Sequence, residues 1–484
     1  MIRINILFFF LLFLFSVYGK EVILIQTTDL HGNLTGDSSK PGICKVATRI
    51  KEIRACHGED NVLLFDCGDL IQGTSSAAKD RGAAIVSALN ELKYDFWVLG
   101  NHEFDYGIDV LRERIREFRG LVLTSNIEFE EPLPNVRKWA IFERNGKRIG
   151  VIGMSPPFLR SWIAPAQLKG IREIPFEEAL FTSVTALFRE KVDVVILAIH
   201  LGEFITARLS PTGKRMNIVS FLRKNPQIRV VFGAHTHITV PLKTLNGTTF
   251  YVQPPALSEG LAEVKITFPG KNRDVEIEGR LWPTYNCDPD PELMKKLEFA
   301  RENCKKEQRT VIAEVPFALG PMKGPKRRCH LAELLCKSMR EELGVDAAFS
   351  TTVSNYHFPG GRLTEYGVFL LVPYENFLTI LDLSPEDYRG ILNEQKQLRQ
   401  KKSFMVHTGV EEKDGVLYVN GQAWTDPEKR IRVAFSSYAV SGAGGRYPVL
   451  RDTANRVKRE EKDLTVREVF DRWMRKHYPP KRGK

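Results

Sequence analysis

Residues 22–33 read VILIQTTDLHGN, and within this stretch an apolar run gives way to a short polar motif. The run Val22–Thr27 has the Val/Ile/Leu density of a strand that is covered on both faces. Asp29 and His31 come directly after this predicted strand. Because α/β folds place their ligand sites at the carboxyl ends of strands, the junction indicates an α/β fold and marks a candidate site.

The same junction of apolar run and polar motif recurs along the first half of the chain. Polar residues end the predicted strands as follows: Asp69 after Val62–Phe65, Asn101, His102 and Asp105 after Phe96–Leu99, His200 after Val192–Ala198, and His235 and His237 after Val230–Phe232. Further strands are predicted at Leu121–Thr124 and Ile149–Ile152, and helices at Ala78–Lys93, Val110–Phe118, Phe176–Glu190 and Met216–Lys224. This alternation predicts a layered α/β domain, and strands that share one sheet and one direction would bring the motifs to a single rim.

The chain is too long for one compact core, so a second domain is expected. A Pro/Asp-rich break at Pro283–Pro291 precedes a charged run, Glu292–Arg309, which we interpret as an interdomain helix. In the second domain the predicted helices are Leu331–Leu343 and Pro385–Gln400, and the predicted strands are Phe377–Leu383, Phe404–Val406 and Ile431–Phe435. The predicted organisation is a leader over 1–19, a first domain over 20–283, a helical linker over 284–309 and a second domain over 310–484.

The first residues have the layout of a secretory signal peptide. Met1–Asn5 carries one Arg and no acid, Ile6–Val17 is almost purely apolar, and Gly19 offers a small residue for cleavage. The apolar run is shorter than the roughly 20 residues that a spanning helix needs, which disfavours the alternative of an uncleaved anchor. We therefore expect a periplasmic or secreted protein with no stable membrane anchor after cleavage.

The seven cysteines fit an oxidising compartment, where disulfides persist. Three pairs that are close in sequence are candidates for disulfides, namely Cys44 with Cys56, Cys287 with Cys304 and, more weakly, Cys329 with Cys336. The odd number leaves at least one thiol, and we interpret Cys67 as that residue, small and buried.

The formal net charge of +11 raises the question of a nucleic-acid partner. The basic residues are interleaved with acids and carry no recognition motif of the usual kinds, so no nucleic-acid partner is expected. The densest basic runs are Lys323–Arg328 and Arg472–Lys484, which we interpret as solvated faces. The alternative is a positive field that attracts small anionic substrates to a cleft.

The polar motifs are made of residue types that bind metal ions. Taken singly, each motif has an ordinary structural explanation; Asp105, for example, could be the N-cap of a helix that begins near Ile108. Taken together, the candidate ligands are Asp29, His31, Asp69, Asn101, His200, His235 and His237. Imidazole, carboxylate and amide oxygen suit divalent ions, and this number of ligands suits two ions that share a bridging carboxylate.

In this order the motifs resemble those of the calcineurin-like metallophosphoesterases. The fuller forms narrow the resemblance, namely Thr-Asp-Leu-His-Gly-Asn at 28–33, Asp-Cys-Gly-Asp at 66–69 and Gly-Asn-His-Glu-Phe-Asp at 100–105. They are similar to the 5′-nucleotidase family, which includes periplasmic UDP-sugar hydrolases and cyclic-nucleotide phosphodiesterases. The resemblance implies a layered α/β/β/α metallophosphoesterase domain, followed by an α+β domain of the 5′-nucleotidase type.

The family pattern also implies a role for each residue of the first domain. Asp29, His31 and His237 would hold one ion, Asn101, His200 and His235 would hold the other, and Asp69 would bridge them, with ions of the Zn, Mn or Co type. His102 and Asp105 resemble the catalytic dyad. The implied reaction is hydrolysis of nucleotides or nucleotide-sugars by attack of a metal-bound water.

The second domain resembles the family's substrate-binding domain more loosely. Asn355 and Arg362 stand where the family contacts phosphate, and Tyr374 with Tyr438 (or Tyr447) where it stacks on the base. The alternative for the tyrosines is simple packing. Residues 442–447 read GAGGRY where the family has Gly-Gly-Asp-Gly-Tyr, so the acid that contacts ribose is missing and the nucleoside preference is open.

Two other functions remain open. First, the chain could use the same ions to hydrolyse a non-nucleotide phosphate, or the sulfate-type esters cleaved by sulfur-oxidation enzymes. A binding protein whose catalysis has lapsed would have lost a metal ligand, and none of the ligands is lost in this sequence. A monomer acting on a small anionic substrate is the expectation.

Overall fold

The computed structural model describes residues 19–34, 36, 42–203, 218–270, 274–321, 330–351, 354–399 and 404–480. The predicted signal segment up to residue 18, the basic run Lys323–Arg328, Cys329 and the first two residues of the predicted helix Met216–Lys224 lie outside these ranges. Within them, every helix is too short or too polar to cross a membrane.

The first half of the chain alternates strands and helices. Its strands are β1 (Lys20–Thr27), β2 (Val62–Asp66), β3 (Phe96–Val98), β4 (Leu121–Leu123), β5 (Ile127–Phe129), β6 (Val136–Arg137), β7 (Trp139–Arg144), β8 (Lys147–Met154), β9 (Ile171–Glu173), β10 (Val194–Ile199), β11 (Ile228–Phe232), β12 (Val240–Thr244), β13 (Phe250–Gln253), β14 (Gly260–Phe268) and β15 (Glu276–Pro283). Its α-helices are α1 (Ile43–His57), α2 (Ser75–Asp80), α3 (Ala83–Glu91), α4 (Ile108–Glu117), α5 (Phe176–Arg189) and α6 (Ile218–Lys224). The strands predicted from the sequence are present, with bounds shifted by a few residues at most.

These strands form two main sheets that pack face to face. Their spatial orders are β15-β14-β1-β2-β3-β4-β6 and β12-β13-β11-β10-β8-β7. An apolar core lies between them, where the ring centroid of Phe65 in the first sheet is 4.9 Å from that of Phe232 in the second. Helices cover the outer faces, with Ile50 of α1 in the core outside the first sheet and Leu180 of α5 in the core outside the second. The layered α/β/β/α prediction is confirmed.

The central strands of each sheet are parallel, β1 with β2 and β3 in one, and β8 with β10 and β11 in the other. The strands that end in polar motifs thus divide between two sheets, as the α/β/β/α prediction implies, rather than sharing one. The two sets of carboxyl ends still meet, since His200, which follows β10, donates from Nδ1 to the carbonyl of Cys67, which follows β2, at 2.6 Å.

The helix predicted at Ala78–Lys93 is interrupted. Arg81 and Gly82 have positive φ, 51° and 81°, which ends α2 and sets off α3. The carboxylate of Asp80 accepts the backbone N–H groups of Gly82 and Ala84 at 2.9 and 3.0 Å and so caps the new helix. A side chain at Gly82 would meet Ile71 Cβ at 2.4 Å, so only glycine fits here.

The second half begins with two short helices and continues as a mixed α/β structure. Its helices are α7 (Pro291–Lys296), α8 (Glu298–Arg309), α9 (His330–Leu343), α10 (Glu365–Leu371), α11 (Pro385–Arg399), α12 (Ser437–Val440), α13 (Pro448–Ala454) and α14 (Val466–His477). Its strands are β16 (Val311–Val315), β17 (Ala347–Ser350), β18 (Gly361–Thr364), β19 (Phe377–Leu383), β20 (Val406–Thr408), β21 (Val410–Lys413), β22 (Val416–Val419), β23 (Gln422–Ala423), β24 (Ile431–Ser436) and β25 (Arg459–Thr465). The linker predicted as one helix is two, because Leu297 turns out of helical geometry and is buried against the first-half core.

A five-stranded sheet, β20-β17-β24-β19-β25, organises the second half. Met339 of α9 and Trp473 of α14 belong to the core on one face, and Tyr388 of α11 belongs to the core on the other. This is the predicted α+β architecture. The exact domain boundaries stay a prediction.

Two of the predicted disulfides are wrong. Cys44 and Cys56 are free thiols on the same helix, α1, where twelve residues span roughly 18 Å, far beyond the reach of a disulfide. Cys287 is a free thiol as well, so it is not bonded to Cys304. Cys67 is completely buried, as interpreted, and burial raises the pKa of its thiol well above the usual value.

Candidate metal centre and the cavity beside it

The loops that leave the carboxyl ends of both sheets carry all the candidate ligands. In chain order these are Asp29 and His31 after β1, Asp69 after β2, Asn101 after β3, His200 after β10, and His235 and His237 after β11. Five of them have a left-handed backbone, namely Asp29, His31, Asp69, His235 and His237. Non-glycine residues pay on the order of 1–3 kcal/mol for such conformations, which concentrate at functional sites.

Asp29, His31 and His237 form one group, whose ligand atoms all lie within 4.8 Å of one another. The Nε2 atoms of His31 and His237 face each other at 3.1 Å, and His237 Nε2 lies 3.3 Å from Asp29 Oδ1. Burial lowers the pKa of His31 to about 4, so this imidazole is neutral at physiological pH. A neutral imidazole is the form that ligates a metal ion.

Asp69, His200 and His235 form a second group by the same distance criterion. His200 Nε2 lies 3.0 Å from Asp69 Oδ2, and His31 Nε2 of the first group lies 4.0 Å from the same oxygen. Asp69 therefore stands between the two groups. Burial, with the charge of His200 adding to it, lowers the pKa of His235 to about 4.

The chemistry of these atoms fits divalent cations. At this site, Asn101 Oδ1 and His235 Nδ1 are buried with no hydrogen-bond partner among the described residues. A buried polar atom left without a partner is costly, and a metal ion is one partner that satisfies it. The site thus offers imidazole, carboxylate and amide donors that suit divalent ions.

Backbone contacts hold two of the histidines in the ligating tautomer. His31 Nδ1 donates to the carbonyl of Gln72 at 2.9 Å, and His200 Nδ1 donates to the carbonyl of Cys67. A carbonyl only accepts, so the proton is on Nδ1, and in the neutral imidazole Nε2 has the lone pair that can bind an ion.

Glu103 is a structural residue of the site to which sequence reasoning gave no role. It is completely buried and accepts the backbone N–H groups of Asp69 at 2.9 Å and Leu70 at 2.6 Å, as well as that of Gly100. It therefore ties the loop after β2 to the loop after β3. Burial and the charge of Asp69 raise its pKa to about 7. The signal in the sequence that could have identified Glu103 is its position as an acid inside the Gly-Asn-His-Glu motif.

His102 and Asp105 form a hydrogen-bonded pair, with Nδ1 and Oδ2 2.7 Å apart. The backbone N–H of His102 also donates to Asp69 Oδ1 at 2.9 Å, which joins the pair to the metal site. Burial opposes the charged imidazole, but Asp105 and Asp69 outweigh it and raise the pKa of His102 to about 10. The alternative of Asp105 as an N-cap is wrong, because Gly107 holds that position before α4.

A cavity of about 760 Å³ lies between the metal site and the second half of the chain. Asn101, His102 and Asp105 line it on one side, and Asn355, Tyr374, Tyr438 and Tyr447 line it on the other. The Tyr374 ring stacks on that of His102, with centroids 6.0 Å apart and planes inclined by 18°. Four of the five predicted substrate-binding residues are therefore at this cavity.

Arg362 is not among the residues that line the cavity. It is exposed on β18, opposite Glu314 of β16, and its contact with phosphate stays a prediction. The arginine that does line the cavity is Arg446, which sequence reasoning noted only as part of the altered glycine-rich run.

Trp162 is another lining residue that sequence reasoning missed. Its ring lies 5.3 Å from that of His235. Gly444 of the second half packs on it, since a Cβ there would come within 2.9 Å of Trp162 Nε1, and the Gly444 N–H donates to Ser161 at 2.9 Å. This contact closes the cavity between the two halves.

Comparison with known families and proteins gives consistent matches. A model of the calcineurin-like phosphoesterase family matches residues 24–239. A snake venom 5′-nucleotidase from Naja atra is 32% identical over 344 residues, which make up 66% of this chain and 64% of that protein. The match thus spans just under two thirds of the length of the venom protein.

Two further matches extend over almost the whole chain. Protein UshA from Yersinia enterocolitica is 22% identical over 512 residues, covering 95% of this chain and 92% of that protein. The crystal structure of a 5′-nucleotidase precursor from Thermus thermophilus matches with a TM-score of 0.68 at 21% identity, covering 94% of this chain and 96% of that one. This structural likeness shows a shared fold over both halves.

Proposed function

We propose that the chain is an exported hydrolase of phosphate esters or anhydrides in the 5′-nucleotidase family of calcineurin-like phosphoesterases, on the basis of its matches to that family. Calcineurin-like phosphoesterases use divalent metal ions, and this chain has groups of residues suited to hold them. We further propose that the site holds two ions of the Zn, Mn or Co type and that the substrates are nucleotides or nucleotide-sugars.

The observation that carries the proposal is the pair of ligand groups that adjoin at Asp69. One carboxylate oxygen lies 3.0 Å from His200 Nε2 and 4.0 Å from His31 Nε2, so it contacts both groups. A carboxylate in this position would be shared by two ions bound in the two groups. Asp29, His31 and His237 would hold one ion, and Asn101, His200 and His235 the other.

Two divalent ions bound here would polarise the phosphoryl oxygens and lower the pKa of the attacking water. The residues of the chain supply the remaining functions. Asp105 holds Nδ1 of His102, which leaves Nε2 as the nitrogen that donates to a phosphoryl oxygen or to the leaving group. As a cation, His102 stabilises the charge that develops there in the transition state.

The opposite wall of the cavity supports a substrate with a planar, polar leaving group. Tyr374 is 40% exposed and offers an open ring face for stacking. Asn355 and Tyr438 line the same space and would contribute polar contacts. Tyr447 is almost completely buried in the second-half core, so of the predicted stacking residues Tyr374 and Tyr438 have the better support.

A second candidate is hydrolysis of a non-nucleotide anion by the same ions. It is favoured by Arg446, which lines the cavity and belongs to the glycine-rich run whose usual ribose-binding acid is missing. The proposed location is the periplasm or the medium, supported by the apolar N-terminal run, and the proposed state is a monomer.

A hydrolysis screen tests the proposal. The protein would be supplied with Mn²⁺, Co²⁺ or Zn²⁺ and given nucleotides, nucleotide-sugars, cyclic nucleotides, simple phosphate esters and a thiosulfate-type ester. We expect turnover of nucleotides or nucleotide-sugars. Folded, metal-loaded protein that releases no phosphate from any phosphorus substrate would contradict it, and turnover confined to non-nucleotide esters would favour the second candidate.

A further inference from the structure

Arg446 stands on a loop that the fold holds against the cavity. The loop follows α12, and its Gly444 packs on Trp162 and donates to Ser161 of the first half. Gly444 has a φ of +65°, which together with the close approach to Trp162 excludes a side chain there. The position of Arg446 relative to the metal site is therefore fixed by contacts between the two halves.

The guanidinium of Arg446 is oriented by its own neighbours. Nε donates to the carbonyl of Ala443 at 2.9 Å, Nη2 donates to the hydroxyl of Tyr438, and Cζ lies 5.6 Å from the centroid of the Tyr438 ring. Both contacts use neutral acceptors. Across the described residues, no carboxylate lies within ion-pair distance of Arg446, and Nη1 has no hydrogen-bond partner.

Arg467, another arginine near this cavity, differs from Arg446 because it has a carboxylate partner. Arg467 pairs with the carboxylate of Glu375 and also donates to the carbonyl of Val372 at 3.1 Å. Its charge is neutralised within the protein, whereas the charge of Arg446 is not. A cation kept in a concave site without a partner acid attracts an anionic ligand.

The other charged groups that line the cavity do not cancel this charge. Asp105 is the acid among the described lining residues, and it is engaged with His102. The charge of Arg446 also acts on Tyr374 of the same wall, where it opposes the rise in pKa that burial causes. The wall opposite the metal site is therefore positive.

We propose that Arg446 binds a second anionic group, a carboxylate or a phosphate, carried by the leaving group of the substrate. The inference rests on the proposed function, because it assumes that the phosphoryl group to be cleaved lies at the metal site. A guanidinium offers two parallel N–H donors to a carboxylate or phosphate, and Nη1 with the second N–H of Nη2 supplies them here. Substrates that carry two anions are therefore preferred over substrates with a neutral leaving group.

The test compares two aryl phosphates that have nearly the same shape but different charge. 4-Carboxyphenyl phosphate has an anionic leaving group, and 4-carbamoylphenyl phosphate has a neutral amide of the same size. With metal-loaded full-length protein, we expect kcat/KM to be higher for the carboxylate. The ratio of the two kcat/KM values should fall by roughly tenfold or more in Arg446→Gln, and further in Arg446→Glu, because a charge-assisted hydrogen bond is lost and then replaced by repulsion.

Arg451→Gln is the matched control. Arg451 lies five residues further on, is paired with Asp452 and does not line the cavity. The Arg451→Gln variant should therefore have the same ratio of kcat/KM values for the two esters as the parent. 4-Sulfophenyl phosphate distinguishes the two ligand sources, since a preference for this tetrahedral anion over the carboxylate indicates a phosphate-bearing leaving group.

The outcomes separate this inference from the proposed function. If the parent hydrolyses both esters and the Arg446 variants keep the parental ratio, or lose both activities equally, the role of Arg446 is wrong and the proposed function stands. If the metal-loaded parent hydrolyses neither ester nor any substrate of the screen, both the role of Arg446 and the proposed function are wrong. Arg446 is exposed, so the variants are expected to fold, and the Glu variant decides the question if the Gln variant does not.

Discussion

The two walls of the cavity differ in how tightly they are built. On the metal side, Asp29 and His200 have no exposed surface, backbone hydrogen bonds position His31 and His200, and His237 is the one exposed residue among the seven candidate ligands. On the other side, Tyr374 is 40% exposed and Arg446 is exposed as well. On the proposed function, the buried metal wall would fix the reaction, and the more exposed second wall would select the leaving group.

The largest expected effect lies in the metal wall. Asp69→Ala removes the carboxylate that both ligand groups share, so metal binding and hydrolysis should be lost together. Metal content measured by mass spectrometry and phosphate release report the two properties. Asp109→Ala, at a side chain that is 96% exposed on α4, is the matched control and should keep both. An Asp69 variant with full metal content would show that the two groups do not share this ligand.

The next effect separates catalysis from metal binding. His102→Ala should keep its metal and lose about 10²-fold in kcat, the usual scale for a positioned acid–base group. Asp105→Ala should lose less, and the double variant should be no worse than His102→Ala, because Asp105 acts through the imidazole. His57→Ala, at the end of α1, controls for loss of a histidine. Additive losses in the double variant would show that Asp105 has a role of its own.

The smallest effect belongs to the second wall. Tyr374→Ala should weaken turnover of a nucleoside monophosphate relative to ribose 5-phosphate by roughly 1–3 kcal/mol, the scale of base–aromatic stacking. The ratio of kcat/KM for the two substrates is the measurement. Tyr285→Ala removes a half-exposed tyrosine that does not line the cavity and should leave the ratio unchanged. If Tyr374→Ala has the same ratio of kcat/KM values as the parent, Tyr374 does not stack on the base.

The same contrast explains what could be predicted from the sequence. Asp29 and His31 follow an apolar run, and polar motifs at strand ends of this kind mark a site from the sequence alone. The structure brings all seven candidate ligands to one edge of the two sheets. The division into two sheets was implied by the family resemblance and not by the strands themselves, because strands such as β3 and β10 are buried on both faces and carry no mark of their partners.

The second wall was harder to predict because its residues come from loops. Arg362 and Arg446 are both arginines in glycine-containing segments, but Arg446 lines the cavity, on a loop whose Gly444 packs on Trp162, and Arg362 does not. Local spacing carries no information about a contact of this kind, which joins residues far apart in the chain. The break at Gly82 and the junction at Leu297 were missed for a similar reason, since contacts with distant residues, Ile71 in the first case, end those helices.

Counting metal ions against activity tests the central claim most directly. The protein would be stripped with a chelator and then titrated with Mn²⁺, Co²⁺ or Zn²⁺ while bound metal per chain and phosphate release are followed together. We expect no turnover by the stripped protein and full turnover when two ions are bound per chain. Full turnover by metal-free protein, or saturation of activity at one ion per chain, would contradict it.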